Sequence, residues 1–278
     1  MIGASKWDLD TPALCVDLDT LERNIAAMQA KVSAAGVATR PHAKTHKCAA
    51  IAKLQLAHGS IGISTAKVSE AEALFANGVD RLLMTTSNVT QAKIRRAMAI
   101  RRKNPHFIQA VDAESTACDL NDAAKAAGLV ADVVVDVAIG TRTGVPPGDR
   151  AIALAQTVDR LPNLTLRGMI SYDGSAQHVK GFSARREYTL KRFEASLQTF
   201  ERMKQSGLNT EIFSGGGTGT YNIMSAVRGV TDLQVGSYIF MDAQYLEIGS
   251  DTNETRFGDF DVSLTVMATV VNTYFPDV

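Results

Sequence analysis

The chain has few cysteines, a single tryptophan, no net charge and no long apolar run, and these shortages remove whole classes of function. Cys15, Cys48 and Cys118 form neither a CxxC pair nor the dense, even pattern of a secreted disulfide scaffold, so they read as buried free thiols. The 29 Lys and Arg residues are matched by 29 Asp and Glu, leaving no global field to draw a nucleic acid or an anionic membrane. No apolar stretch approaches the roughly 20 residues that cross a bilayer, and the opening MIGASKWDLD lacks a basic segment followed by an apolar one. These absences predict a cytoplasmic protein with a small-molecule partner, no nucleic acid and no membrane.

What is present is a long alternation of apolar strands and amphipathic helices. β-rich runs occur at 37–44, 60–65, 81–86, 107–112, 131–138, 164–172, 210–214 and 233–240. Helical periodicity fills the gaps at 67–77, 91–103, 114–127, 151–159 and 183–206, and Gly78, Gly128 and Gly207 fall just past three of these runs as helix stops. Parallel strands need crossovers, and eight strand–helix units in about 220 residues fit a closed (β/α)8 barrel better than an open doubly wound sheet. The position where a dinucleotide fold would carry G-x-G-x-x-G holds RPHAKTHK instead. Outside the barrel, 11–19 and 260–271 alternate like strands and predict a small β-domain built from both chain ends. The expected division is 1–22 for the first strand of that domain, 23–256 for the barrel and 257–278 for the start of a C-terminal β-domain that looks unfinished.

Barrel chemistry gathers at the C-terminal ends of strands. The first barrel strand ends in Arg40-Pro41-His42-Ala43-Lys44, and period-two alternation puts Arg40, His42 and Lys44 on one face, which an inward turn would aim at the mouth. Lys44 is then either an ion-pair partner or an amine able to attack an aldehyde, with Lys47 as the competing nucleophile. The seventh strand ends in Ser214-Gly215-Gly216-Gly217-Thr218-Gly219-Thr220, where four glycines in five residues let backbone N–H groups approach a phosphate across the rim from Lys44. Gly236, Ser237 and Tyr238 follow from the eighth strand. Arg142, between Gly140 and Gly144, suits an anionic oxygen. Tyr172 suits a planar ring or a proton transfer, and His178 a base or a metal ligand. Met203 and Met224 read as core filling, while His58 and His106 precede strands and belong to the opposite end of the barrel.

Together RPHAKTHK, KVSEAE, GTRTGV, SYDGSAQH, SGGGTGTYN and LQVGSYIFMD resemble the D-threonine aldolase and D-serine dehydratase family, whose barrel is of the alanine-racemase N-terminal type. The resemblance runs from about Asp10 to the last residue. It implies that Lys44 carries pyridoxal 5'-phosphate, that Gly216, Gly217, Thr218, Gly236 and Ser237 hold its phosphate with Ser214 and Tyr238 close by, and that Arg142 and Tyr172 line its ring. It further implies a homodimer, a D-amino acid substrate and a divalent metal, Mn, Mg or Zn, whose ligands have no match in this chain. Ala66 stands where family members often carry glutamine, with Thr65 as the neighbour able to supply the contact. The expected activity is a lyase on D-3-hydroxy amino acids, cleaving Cα–Cβ as an aldolase does. The alternatives are a D-serine or D-threo-3-hydroxyaspartate dehydratase and, from another class, a non-catalytic pyridoxal-phosphate carrier.

Overall fold

A computed structural model describes residues 3–140 and 143–274. Eight strands run in parallel: β2 (Ala38–Thr39), β3 (Ile63–Thr65), β4 (Leu82–Met84), β5 (Ile108–Val111), β6 (Ala131–Asp136), β7 (Leu164–Ser171), β8 (Ile212–Gly215) and β9 (Asp232–Leu233). Neighbours in sequence are neighbours in space, and β9 returns to pair with β2. The ring closes between β2 and β3, where His42 bridges Ser64, Ile61 N–H donates to Thr39 O at 3.0 Å and Ser64 N–H to Pro41 O at 2.8 Å. Every strand is therefore bonded on both sides, the arrangement of a (β/α)8 barrel.

Helices α1 (Leu18–Ala34), α2 (Ala49–Ala57), α3 (Val68–Ala76), α4 (Gln91–Lys103), α5 (Glu114–Ala127), α6 (Asp149–Arg160) and α7 (Phe182–Gln205) wrap the barrel, with short α8 (Tyr221–Met224) and α9 (Ala243–Leu246) late in the chain. Helix α1 shows how the sequence sets this. Asp17 caps it by accepting from Thr20 N–H at 2.8 Å, and Leu21, Ile25, Met28 and Val32 recur at helical spacing on its buried stripe. Gly78, Gly128 and Gly207 sit at φ of +82°, +65° and +74°, the left-handed geometry expected of helix stops.

Strand alternation divides the apolar residues into two cores. Leu83, Ile108, Ala110, Val134, Ile170 and Ile212 fill the barrel interior, and a larger set packs the strands against the helices. Met203 and Met224 are buried in the outer core, as expected. The eighth barrel strand departs from its expected course: β9 is two residues long, and the chain turns into a 3-10 helix at Ser237–Ile239. An apolar run does not distinguish strand from short helix, and there Tyr238 and Ile239 are buried by packing, not by the sheet ladder.

The two chain ends meet. β1 (Ala13–Val16) pairs antiparallel with β10 (Leu264–Met267), with Leu14 opposite Val266, and both of those side chains are exposed. The second of these strands is far shorter than the 260–271 run expected. The cysteines are free, but none is buried: Cys15 and Cys48 are half-buried and Cys118 lies on the exposed side of α5. No helix among the described residues is long and apolar enough to cross a membrane.

Candidate active site at the barrel mouth

Inside the barrel, the faces of β2 and β9 carry polar groups in tiers. At the lower tier Arg40 Nε donates to Asp232 Oδ1 at 3.1 Å. One tier up, Ser214 donates its hydroxyl to Asp232 and accepts from Gln234 Nε2 at 3.1 Å. At the top, His42, Lys44, Asp136, Tyr172 and Gln234 line a cavity of about 330 Å³, closed at its rim by Asp173 and Arg192. That volume lies in the range of small-molecule sites, about 300–1,000 Å³. Arg40 and His42 continue the alternation of β2 on the inward face, Lys44 follows in a turn, and His42 and Lys44 both line the cavity.

The Lys44 Nζ lies 5.0 Å from the centroid of the Tyr172 ring, within cation–π range. His42 Nε2 shares a hydrogen bond with Thr85 Oγ1 at 3.2 Å, fixing its ring below the lysine. Lys47, the rival amine, is turned away: its Nζ donates to Lys44 O at 3.0 Å, and it does not line the cavity. Asp173 is buried, and burial works against its charge. Hydrogen bonds from Ser175 and Arg192 nevertheless hold its carboxyl below the usual carboxylate range.

The glycine turn is not across the rim from Lys44. It follows β8, the second neighbour of β2, so the two lie on the same side, and strands about 4.8 Å apart put them roughly 10 Å from one another. The intervening turn after β9 abuts the lysine loop directly: a Cβ on Gly236 would come 2.6 Å from Thr45 Oγ1. The glycine turn is braced from within. Gly217 N–H donates to Thr220 Oγ1 at 3.1 Å, Gly219 N–H to Gln177 Oε1 at 3.0 Å, and Tyr238 N–H to Thr218 Oγ1 at 3.0 Å. A Cβ on Gly219 would lie 2.2 Å from Gln177 O, so only glycine lets the turn sit against the loop after β7.

These positions sort the expected site residues. Lys44 and Tyr172 meet in the cavity. Gly216, Gly217, Thr218, Gly236 and Ser237 form two adjoining turns beside it. Ser214 is one tier lower, its hydroxyl engaged by Asp232. The Tyr238 side chain is buried beneath the turns, its hydroxyl accepting from Gln55 Nε2 at 2.9 Å, and burial raises its pKa. His178 is exposed and packs on Tyr245 at 4.6 Å between ring centroids, outside the cavity. Arg142 lies outside the described residues. Thr65 does not line the cavity; its Oγ1 is buried without a hydrogen-bond partner among the described residues. His58 and His106 lie away from the mouth, the latter beside a cavity at the opposite end of the barrel.

Sequence reasoning did not single out Asp136, Gln234 or Arg192. Asp136 and Gln234 have a legible signal, since each is a polar residue on the inward face at the end of a Val-rich or apolar run. Arg192 has none, because it lies mid-helix in α7 and reaches the rim only through packing.

The geometry fits pyridoxal phosphate: an amine against an aromatic wall, and two glycine-lined turns within one small molecule's length of it. Among the described residues no three His, Cys, Asp or Glu side chains converge on a metal site.

The alanine racemase N-terminal domain family matches residues 16–244. A 3-hydroxy-D-aspartate aldolase of Paracoccus denitrificans (strain Pd 1222) is 33% identical, covering 97% of this chain and 70% of that protein. A D-threonine aldolase of Arthrobacter sp. is 36% identical over the same shares, and a D-threo-3-hydroxyaspartate dehydratase of Delftia sp. (strain HT23) is 32% identical over 95% and 68%. The crystal structure of D-threonine aldolase from Filomicrobium marinum superposes with a TM-score of 0.87 at 36% identity, covering 93% of this chain and 69% of that one. With the barrel, the mouth lysine and these matches in hand, the chain belongs to the D-threonine aldolase-type family of fold type III pyridoxal-phosphate enzymes, built on the alanine racemase N-terminal domain.

Proposed function

We propose that this chain is a pyridoxal-phosphate-dependent lyase acting on D-3-hydroxy amino acids, of the aldolase type that cleaves Cα–Cβ to give glycine and an aldehyde. The observation that carries the reading is Lys44 at the mouth, 5.0 Å from the Tyr172 ring and beside the Gly236 turn. When bound, the cofactor supplies an electron sink for charge that develops at the substrate's Cα.

The chain's own residues would do the rest. Lys44 Nζ would hold the cofactor at its aldehyde carbon and, as a free amine, would carry a proton to Cα. Tyr172 would wall the ring, and its phenolic oxygen would take the proton of the substrate's β-hydroxyl as its own proton passes to the Lys44 amine. The N–H groups of the two glycine-lined turns other than those of Gly217, Gly219 and Tyr238, which brace the turns, would hold the phosphate. Arg192, fixed by Asp173, offers its guanidinium at the rim to a carboxylate. His178 would act through Tyr245, on which it packs, and the family resemblance assigns Arg142 to the cofactor ring. No step is assigned to a metal.

The test is an assay of the purified protein, supplied with pyridoxal phosphate, on D-threonine, D-threo-3-hydroxyaspartate and D-serine, with and without Mn2+. Glycine plus an aldehyde supports the aldolase. Keto acid plus ammonia replaces it with the dehydratase, an activity carried by a relative 32% identical to this chain. A bound chromophore with no turnover replaces both with a carrier. The homodimer, the cytoplasmic location and the division at 22 and 256 belong to the same proposal, and sedimentation velocity reads the first.

A further inference from the structure

The N-terminal end of the barrel holds a second cavity, of about 230 Å³, at the opposite pole from Lys44. Arg40, Arg81 and Arg167 line it together with Asp232, Glu211 and His106. The carboxylates here are already matched. Asp232 takes Arg40 Nε, Glu211 takes Arg167 through two bonds, and Asp132 beside them takes Arg101 and Arg167. Arg81 has no carboxylate partner among the described residues, so the cavity keeps an excess of positive charge.

Arg40 is the decisive residue. Its side chain is 8% exposed, yet among the described residues its hydrogen bonds end at Nε, leaving the terminal nitrogens without a protein acceptor. That free edge opens onto the cavity, where an anion can accept charge-assisted hydrogen bonds from it. Gly62 makes the room: a Cβ there would lie 2.7 Å from Arg40 NH1.

We propose that this floor cavity is a binding site for a small oxyanion of the phosphate or dicarboxylate class, held by the free edge of Arg40 and by Arg81. Planar guanidinium forks match the oxygen spacing of both, which is the shared chemistry. The site is separate from the mouth by the full length of the strands, with Ile108 and Ile212 of the interior core lining its inner wall.

Titration calorimetry tests it, with inorganic phosphate in one arm and succinate in the other, on protein first saturated with pyridoxal phosphate. The expected result is a binding event on the cofactor-saturated protein that Arg81→Glu weakens about tenfold or more, a loss of some 1.4 kcal/mol. Arg81 is exposed, so its variant folds, and an unchanged melting temperature without anion verifies this. Heat in the phosphate arm alone assigns the site to phosphate, and heat in the succinate arm alone assigns it to dicarboxylates. No heat in either arm, or heat that survives Arg81→Glu, overturns the proposal. Arg81 lines only the floor cavity and not the mouth, so its effect on anion heat is read whether or not the lyase reading holds.

Discussion

Lys44 and Tyr172 come from strands on different sides of the barrel, yet the lysine nitrogen lies 5.0 Å from the tyrosine ring centroid. A cation over a partly desolvated ring gains about 0.5–2 kcal/mol, and the same ring walls the cavity. Replacing Tyr172 by Phe keeps the wall and removes the hydroxyl. The expected outcome is retained cofactor affinity with kcat lowered about a hundredfold. Tyr172→Ala loses the wall and weakens cofactor binding as well. Equal behaviour of the two variants in absorbance titration and steady-state kinetics would show that the ring has no role.

Lys44→Ala is expected to abolish the visible chromophore and lower activity by about three orders of magnitude or more. Borohydride reduction followed by peptide mapping should place the adduct on Lys44. An adduct on Lys47, whose amine bonds Lys44 O, contradicts the assignment.

Gly219→Ala drives a Cβ to 2.2 Å from Gln177 O, a backbone atom that cannot simply rotate away. Overpacking of this kind is expected to cost about 1–3 kcal/mol and to weaken cofactor affinity together with stability, because the same turn is the proposed phosphate site. Chemical denaturation and cofactor titration read the two effects. Wild-type stability in this variant would mean the two loops separate freely.

His46 gives a pH signature. Its Nε2 is buried without a partner among the described residues, its Nδ1 accepts from Cys48 N–H at 3.0 Å, and burial pushes its pKa down to about 4. Between that value and about 6.5 the unfolded chain binds the proton and the folded chain does not, so stability falls as pH drops through this window. The loss is on the order of 2–3 kcal/mol by pH 4. His46→Gln removes the group and should flatten the slope relative to wild type in urea denaturation between pH 7 and 4. Parallel slopes would place the imidazole in contact with water.

The sequence alone determined the barrel and most of the chemistry. Strands and helices alternate strongly enough to count, glycines stop helices where a left-handed residue is required, and period-two alternation carries Arg40 and His42 inward. These are local properties, set by backbone sterics and by the face each element buries, and a linear reading reaches them. Only the tertiary structure decided the rest. Ring closure puts the glycine turn two strands from Lys44 on the same side, whereas the sequence left it across the rim, because strand order around a barrel follows from which edges meet. Packing made the end of the eighth run a 3-10 turn, buried Tyr238, carried Arg192 to the rim and left His178 outside the cavity. It also set Asp232 between Arg40 and Ser214. Contacts between residues far apart in sequence are matters of distance in space, and no periodicity encodes them.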